Sequence, residues 1–366
     1  MSDSFSFSTF EINPRAIVGN IRLAKKCLMP QTKIVAMVKA DAYSIGVENI
    51  APFIVDNVDV FAVANLEEGI KLRGLGIDKE IFVMSPINLD FLSVYSYYNL
   101  TPTITSIHEL NYLSKEAKMP ITVQIKADTG LARFGIVKIS EFTKALEKIN
   151  SNKKISLLGV FSHLATKQND IEYIYTQKHR FDEFIEIAKT KVSKPLYYHL
   201  ANTNAIFNHS GFGYNMVRMG FGIYGMDNDL HKSLKPAIQI KSKIVFEKIV
   251  PPTQSIGYDR TFITTKKTKV GIVPLGYADG VDRRLSNNGF VLINGQKVNI
   301  IGRVSMDSFC VDLTDVVGET MGAEVVLLGK SRGEILSLKT LSEMTGASQY
   351  ETLVKFSHKR MCIKYV

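Results

Sequence analysis

The sequence predicts an α/β protein in which an N-terminal (β/α)8 TIM barrel precedes a C-terminal, mainly-β domain. Two observations predict this division. Short apolar runs alternate with amphipathic stretches over about 220 residues, which is the pattern of repeated βα units. After Met226 the chain changes to Val- and Ile-rich runs separated by turn signals, which is typical of antiparallel strands. The 366 residues are enough for both parts.

Eight apolar runs are the predicted strands of the first domain. A barrel of this class has eight parallel strands, each followed by a helix, although a doubly wound open sheet would show the same alternation. The predicted strands are Ile34–Val38, Val58–Ala64, Ile81–Met84, Pro102–Thr105, Ile121–Ala127, Leu157–Ser162, Leu196–Leu200 and Met216–Met219.

Amphipathic stretches between these runs predict the helices. Their apolar residues recur at the spacing of one helix face. The predicted helices are Pro14–Leu28, Leu66–Leu75, Ser106–Lys118, Val137–Ile149, Asp170–Lys189 and Ala201–Asn208.

The C-terminal part is predicted to contain few helices before Leu338. We therefore place the barrel in residues 1–235 and the β domain in residues 236–366. The turn signals that separate its strands are Gly257-Tyr258-Asp259, Ala278-Asp279-Gly280, Asn287-Asn288-Gly289 and Asn294-Gly295.

Composition indicates a globular protein with a full core, because 45% of the residues are hydrophobic and 22% are charged. The longest uncharged stretch, residues 91–107, contains polar residues and Pro102, so no membrane span is expected. The net charge of +10 comes from scattered lysines rather than a basic strip, and therefore does not indicate nucleic acid binding.

The three cysteines, Cys27, Cys310 and Cys362, are few and widely spaced. This pattern predicts neither disulfides nor a metal site, and it fits a reducing cytoplasm. The N-terminal residues Met1–Phe10 show no basic region followed by an apolar one, so no secretory signal is expected.

Lys39 stands at the end of the first predicted strand, with Tyr43 four residues later. A lysine with a lowered pKa can form an imine with a carbonyl cofactor, and a strand end would hold its amine in place. A lysine that only caps a buried strand explains these residues equally well. Strand ends elsewhere add polar groups to the same rim of a barrel: Lys126 to Arg133, His163, His199, Ala201 to Thr203, and Arg218 to Gly225.

With these motifs together, the chain resembles the bacterial alanine racemases, a pyridoxal-phosphate-dependent family of the barrel type known as fold III. The matching motifs span nearly the whole length in the family's order. They are Val38-Lys39-Ala40-Asp41-Ala42-Tyr43, Phe61 to Ala64, Leu66-Glu67-Glu68, Lys126 to Arg133, Arg218-Met219-Gly220, Gly257-Tyr258, Gly276 to Gly280 and Gly302 to Asp307.

The resemblance implies that Lys39 holds pyridoxal 5'-phosphate as an internal aldimine and then serves as one of two catalytic bases. Tyr258 would be the second base, acting on the opposite face of the substrate in the external aldimine. Racemisation needs proton removal on one face and delivery on the other, and both side chains have reference pKa values near 10. In the family, the tyrosine reaches the cofactor from a second subunit, which implies a homodimer with shared sites.

The resemblance also implies roles for the polar rim. Arg218 would face the pyridine nitrogen and disfavour its protonation, and His199 would hold Arg218 in place. Arg133 would bond to the phenolic oxygen of the cofactor near the substrate carboxylate, and His163 would position Tyr258.

Further residues match binding positions of the family. Lys126 aligns with a lysine that is carbamylated in several relatives, where the new anion orients the arginine that matches Arg133. The remaining matches are Tyr43, Thr203, Gly220 and Phe221 for the cofactor phosphate, Met306 and Asp307 for the substrate carboxylate, and Tyr277 for the entrance.

Three positions depart from the family pattern. Ser44-Ile45-Gly46 replaces the usual Gly-His-Gly beside the cofactor, and Asp259 replaces the glycine after the tyrosine. Tyr350-Glu351 resembles the family, but His358 stands where many members place a tyrosine over the phosphate, which makes cofactor binding there sensitive to pH.

We therefore expect a cytoplasmic, dimeric racemase that interconverts L- and D-alanine for peptidoglycan. A racemase of broader specificity, acting on serine or basic amino acids, remains an alternative that depends on the entrance around Tyr277 and Met306. A decarboxylase on the related barrel is disfavoured, because Arg218 would weaken the electron sink that decarboxylation needs. A cofactor-binding protein without catalysis would not explain the β domain or Tyr258.

Overall fold

The structure is a computed structural model that describes residues 6–166, 170–209, 211–226 and 231–366. Met1–Phe5, the first half of the N-terminal segment in which no secretory signal is expected, lie outside the described residues. Across the described residues, none of the helices combines the length and the apolar character needed to span a bilayer.

The predicted barrel is confirmed, and each predicted strand overlaps an observed one. The strands form one parallel sheet in which the second to the eighth strand of the chain lie side by side in chain order, and the ninth lies beside the second. Numbered after β1 (Thr9–Ile12), they are β2 (Lys33–Met37), β3 (Val60–Val63), β4 (Glu80–Pro86), β5 (Thr101–Ile104), β6 (Ile121–Lys126), β7 (Ile155–Phe161), β8 (Tyr197–His199) and β9 (Met216–Met219).

The sheet is nearly closed. β9 pairs with β2 in parallel, and β8 and β9 meet at the remaining seam. There the Tyr198 N–H donates to Asn215 Oδ1 at 2.7 Å, and the Arg218 N–H donates to the Ala201 carbonyl oxygen at 3.0 Å. An open doubly wound sheet would not bring its two edge strands together, so the barrel is the correct interpretation of the βα alternation.

Helices surround the barrel, and two further helices follow in the C-terminal domain. The predicted helix near Ser106 shows how the sequence starts them: the Ser106 hydroxyl caps the Glu109 N–H, and the Glu109 carboxylate bonds back to the Ser106 N–H. The observed helices are α1 (Pro14–Lys26), α2 (Lys39–Tyr43), α3 (Val47–Ile54), α4 (Leu66–Gly74), α5 (Leu92–Tyr97), α6 (Ile107–Glu116), α7 (Ile139–Ser151), α8 (Ile171–Lys191), α9 (Thr203–Asn208), α10 (Leu338–Thr345) and α11 (Gln349–Lys355).

The sequence did not predict α2, α3 or α5. All three are short, with at most eight residues, and α3 contains Pro52, so none shows the long periodic pattern from which a helix is predicted.

The predicted β domain is also confirmed. Its strands pair mainly antiparallel, and a two-residue turn joins β15 to β16 at Asn294-Gly295, where both residues have positive φ as a type I′ turn requires. The strands are β10 (Ile238–Lys243), β11 (Phe246–Val250), β12 (Ser255–Ile256), β13 (Phe262–Ile263), β14 (Thr268–Val273), β15 (Phe290–Ile293), β16 (Gln296–Ile301), β17 (Phe309–Asp312), β18 (Glu324–Ser331), β19 (Glu334–Leu336) and β20 (Cys362–Tyr365).

The N-terminal strand β1 lies in the sheet of the C-terminal domain. It pairs antiparallel with β10 and parallel with β20. The sheet of the β domain therefore includes β1, which comes before the barrel in the sequence. For the residues after β1, the predicted boundary between the two domains at residue 235 stays a prediction.

Candidate active site

Lys39 begins α2, which is a turn of left-handed helix at the carboxyl end of β2. Five successive non-glycine residues, from Ala40 to Ser44, have φ between 52° and 64°. Residues of L chirality avoid this region because Cβ approaches the following carbonyl oxygen, at a cost of about 1–2 kcal/mol per residue. Strain of this kind persists only where the surrounding structure holds it, and it concentrates at functional sites.

The barrel holds the first half of this turn. The Ala40 N–H donates to Glu68 Oε1 at 2.7 Å. The Asp41 carboxylate accepts the Val47 N–H at 3.0 Å and the Lys71 ammonium at 2.7 Å. These bonds fix the backbone immediately after Lys39.

The C-terminal domain holds the second half. The Ser44 hydroxyl donates to the Val354 carbonyl oxygen at 2.7 Å, and His358 Nδ1 donates to the Ser44 carbonyl oxygen at 2.9 Å. Ser44 and His358, which both depart from the family pattern, therefore contact each other. His358 lies behind the turn and is not among the residues that line the cavity described next.

A cavity of about 440 Å³ opens at the carboxyl ends of the barrel strands. It brings together side chains that are far apart in the sequence. The predicted site residues that line it are Lys39, Tyr43, Lys126, Arg133, His163, Thr203, Arg218, Gly220 and Phe221.

Arg218 is fixed on the cavity wall by four close hydrogen bonds. Its Nη1 donates to Nδ1 of His199 at 2.7 Å and to the His199 carbonyl oxygen at 2.8 Å. Its Nη2 donates to the carbonyl oxygens of Ser162 at 2.7 Å and Leu200 at 3.1 Å, and lies 3.3 Å from Nδ1 of His163. No described residue accepts a bond from its Nε, so this N–H remains for a ligand.

The two histidines beside Arg218 are neutral near pH 7. Burial and the Arg218 cation lower the pKa of His163 to about 3 and hold the pKa of His199 well below its usual value. Burial also lowers the pKa of Arg218 to about 9, so the guanidinium remains a cation at neutral pH.

Lys39 has a lowered pKa, caused first by burial and then by the charge of Arg133. A lowered pKa increases the fraction of neutral amine at pH 7. Only the neutral amine can attack a carbonyl group.

A tight loop after β6 presents Arg133 to the cavity. The Asp128 carboxylate accepts four successive backbone N–H groups, those of Gly130, Leu131, Ala132 and Arg133, at 2.9 to 3.2 Å. Asp128 therefore shapes the loop, as aspartates commonly do in turns. The sequence motifs did not predict this role. The signal that could have indicated it is the place of Asp128 directly before Thr129-Gly130, because an aspartate before a glycine often organises a turn.

Lys126 is buried in the same part of the cavity wall. Its Nζ donates to the Phe134 carbonyl oxygen at 2.5 Å and lies 4.0 Å from the centre of the Phe134 ring. Burial and the charge of Arg133 lower the pKa of Lys126 to about 8.

The other end of the cavity is a glycine-rich cradle. The Gly220 N–H donates to Thr203 Oγ1 at 3.3 Å. A Cβ atom at Gly220 would lie 2.5 Å from the Tyr43 hydroxyl, and one at Gly222 would collide with Thr203 Cγ2. Glycine at these two positions therefore allows the backbone to lie close to the Tyr43 hydroxyl and to the Thr203 side chain.

Tyr350 joins this end of the cavity from the C-terminal domain. Its ring lies 4.3 Å from that of Phe221 and 6.5 Å from that of Tyr43. In the sequence Tyr350 was only part of a matching motif, and His358 was the residue predicted to lie over the phosphate. In the structure it is Tyr350 that lines the cavity.

Besides His358, four predicted residues of the C-terminal domain do not line this cavity. The side chains of Tyr258, Tyr277 and Met306 are 67%, 45% and 52% exposed. Tyr277 and Met306 lie on adjoining loops, since the Tyr277 N–H donates to the Ser305 carbonyl oxygen at 3.0 Å. Asp307, the fourth, follows Met306 on the same loop.

An unpredicted arginine ties these loops together. Arg360 Nε donates to Asp279 at 2.8 Å, and its Nη2 donates to Asp307 at 2.5 Å. Because Arg360 is far from both carboxylates in the sequence, only the fold reveals this contact.

Comparisons of this chain with known proteins match it to the alanine racemases. The family model for the alanine racemase N-terminal domain matches residues 12–228, and the model for the alanine racemase C-terminal domain matches residues 237–364. The chain is also similar to alanine racemase 2 of Caldanaerobacter subterraneus subsp. tengcongensis, with 33% identity over 98% of this chain and 95% of the relative.

Two solved structures share the fold. The alanine racemase of Bacillus anthracis with bound L-Ala-P has a TM-score of 0.93 at 27% identity, covering 100% of this chain and 96% of the other. The alanine racemase of Bartonella henselae with covalently bound pyridoxal phosphate has a TM-score of 0.88 at 26% identity, covering 99% and 100%. The chain belongs to the alanine racemase family.

Proposed function

We propose that the chain interconverts L- and D-alanine with pyridoxal 5'-phosphate bound in the barrel cavity. The observation that carries this proposal is the meeting of Lys39, Arg133 and Arg218 around one cavity, in a chain of this family. The D-alanine would serve peptidoglycan synthesis.

The residues present fit this cofactor. Lys39, with its lowered pKa, would hold the aldehyde carbon, and the free Nε–H of Arg218 would face the pyridine nitrogen. The hydroxyls of Tyr43 and Thr203, with backbone N–H groups at Gly220 and Phe221, would hold the phosphate. Tyr350 would complete this end, in place of the role first expected of His358. The covalently bound pyridoxal phosphate of the Bartonella henselae enzyme supports this assignment.

Two bases would exchange the substrate proton. When bound, the cofactor withdraws electrons from the substrate Cα–H bond. We assign proton transfer on one face to Lys39 Nζ and on the other to the phenol of Tyr258 of the partner subunit. Either group can act as acid or base, which is what a reversible inversion requires.

The exposure of the C-terminal loops supports a homodimer. Tyr258, Tyr277 and Met306 are largely exposed in the single chain, yet they carry the family's pattern. A second copy that packs these loops against the cavity mouth would bring the missing base to the site. It would also exclude water from the reaction, with the His163 ring positioned to orient Tyr258 of the partner subunit.

Substrate orientation would depend on two further groups. Arg133 would bond to the cofactor's phenolic oxygen near the substrate carboxylate, and the backbone N–H of Met306 would bind that carboxylate from the other chain. Arg360 supports this assignment, because its bond to Asp307 holds the Met306 loop. Tyr277 would narrow the entrance.

A chiral assay across the common amino acids tests the proposal. We expect rapid inversion of alanine in both directions and much slower inversion of serine, lysine and arginine. Comparable rates for serine or basic amino acids would instead favour the broader-specificity racemase, and carbon dioxide release would favour the decarboxylase. Rescue of a D-alanine auxotroph would test the peptidoglycan role.

Replacing Arg218 by glutamate is expected to slow racemisation on the order of 100-fold, because a carboxylate favours protonation of the pyridine nitrogen that the guanidinium opposes. Transamination products should rise relative to racemised alanine, and the absorption spectrum of the bound cofactor should change. Arg218→Lys, which keeps the positive charge, is the matched control and should retain the wild-type product ratio. An unchanged ratio and spectrum in Arg218→Glu would contradict the role of Arg218.

Lys126 is proposed to bind carbon dioxide as a carbamate that orients Arg133. Its pKa of about 8 supplies neutral amine near physiological pH, and carbamate formation needs that form. We expect native mass spectrometry to show one added carbon dioxide per chain, with occupancy that rises with bicarbonate and with pH from about 7 to 9. The Lys126→Arg protein should show neither the added mass nor its dependence on bicarbonate and pH. Equal masses for both proteins in bicarbonate, after allowance for the substitution, would rule the carbamate out.

A further inference from the structure

Gln124 lies inside the barrel behind Arg218 and completes a chain of buried hydrogen bonds. Its Oε1 is 3.1 Å from Nε2 of His199, whose Nδ1 is 2.7 Å from Nη1 of Arg218. Gln124, His199 and Arg218 are 1%, 0% and 4% exposed. At this depth each polar group depends on a protein partner.

Thr103 determines which end of the Gln124 amide faces His199. The Thr103 hydroxyl donates to the Val83 carbonyl oxygen at 2.7 Å, so toward Gln124 it offers only lone pairs. The Gln124 amino group therefore faces Thr103, at 3.5 Å, and its carbonyl oxygen faces His199.

The contact with Arg218 shows which nitrogen of His199 carries the proton. A guanidinium has no acceptor, so its contact with Nδ1 requires a lone pair on that nitrogen. The proton of the neutral ring is then on Nε2, which points at the Gln124 oxygen. The ring plane is fixed by stacking against Phe161, with centroids 4.9 Å apart, and against Phe82, with centroids 5.9 Å apart.

We propose that Gln124 is a positioning residue for the racemase reaction: by accepting the Nε2–H of His199, it fixes the tautomer whose Nδ1 receives Arg218. The inference rests on the proposed role of Arg218 at the pyridine nitrogen. Gln124 does not line the cavity, so its proposed effect passes only through His199 and Arg218.

The tautomer can be measured directly in the holoenzyme. Histidine ring nitrogen NMR on protein labelled with ¹⁵N-histidine distinguishes a protonated nitrogen from an unprotonated one, and comparison with His199→Phe assigns the signals. We expect His199 to carry its proton on Nε2 alone at pH 7. A proton on Nδ1, or on both nitrogens, would overturn the proposal whatever the enzyme's activity. An inactive wild-type protein with the expected tautomer would instead contradict the proposed function alone.

Two variants test what Gln124 does for catalysis. Gln124→Glu keeps the shape but provides a carboxylate that favours a doubly protonated His199, whose Nδ1–H would repel Arg218. We expect kcat to fall roughly tenfold or more with little change in KM, together with a shift in the cofactor's absorption spectrum. Gln124→Met removes the acceptor without adding charge and should produce a smaller loss of kcat in the same direction.

Ile125→Val is the matched control, because it loosens packing on the same strand while its side chain points to the opposite face. Its kcat and spectrum should equal those of the wild type. If both Gln124 variants fold, bind cofactor and match the Ile125→Val control in kcat and spectrum, Gln124 does not position Arg218.

Discussion

Replacement of Lys39 by alanine is expected to abolish both the yellow colour of the purified protein and its racemase activity. Lys39 is proposed both to hold the cofactor covalently and to serve as a base, so a single change removes two functions. We expect activity to fall by about 10⁴-fold or more, the upper range for loss of a general base. Absorbance of the purified protein and the chiral alanine assay measure the two losses.

Lys33→Ala is the matched control, because Lys33 lies at the other end of β2 and does not line the cavity. It should keep both colour and activity. Borohydride reduction followed by peptide mapping completes the test. A reducible cofactor adduct on another lysine of Lys39→Ala would show that the attachment site is elsewhere.

Mixing Lys39→Ala chains with Tyr258→Phe chains is expected to restore activity that neither protein has alone. Lys39 lies on the barrel and Tyr258 on the C-terminal domain, and the proposed dimer builds each site from one of each. In a heterodimer, one site carries both damaged residues and the other carries neither. Random exchange of equal amounts should therefore restore roughly a quarter of the wild-type sites.

A second mixture provides the control. Lys39 and Arg218 line the same cavity of the same barrel, so Lys39→Ala and Arg218→Glu chains should not complement each other. Subunit exchange is measured separately, by labelling the two chains with different fluorophores. If exchange is complete and the Lys39→Ala with Tyr258→Phe mixture stays inactive, each site must be built within one chain.

The barrel could be predicted from sequence because its signals are local. Each strand is a short apolar run, each long helix shows one apolar face, and parallel strands bring their carboxyl ends to one rim. These local signals were enough to predict that Lys39, Lys126, Arg133, His163 and Arg218 share that rim. The turn at Asn294-Gly295 could also be predicted from the sequence, since a type I′ turn requires residues that tolerate positive φ.

Contacts between distant parts of the chain could not be predicted in this way. The left-handed turn after Lys39 contains no glycine among its five strained residues, so no residue type signalled it. Its support by His358 depends on a bond between residues 314 positions apart. Tyr350 lines the cavity and His358 lies behind the turn, and both positions depend on contacts between the C-terminal domain and the barrel that are distant in the sequence.

The position of β1 has a consequence for how this protein is made. Thr9–Ile12 is synthesised about 350 residues before Cys362–Tyr365, yet these two segments are hydrogen-bonded neighbours. The strand β1 must therefore wait until β20 has been made before its sheet is complete, and such long-range pairing slows folding. Cutting the gene near codon 235 would leave the C-terminal product without this strand. A circular permutant in which a linker joins β20 to β1 would make the same neighbours local.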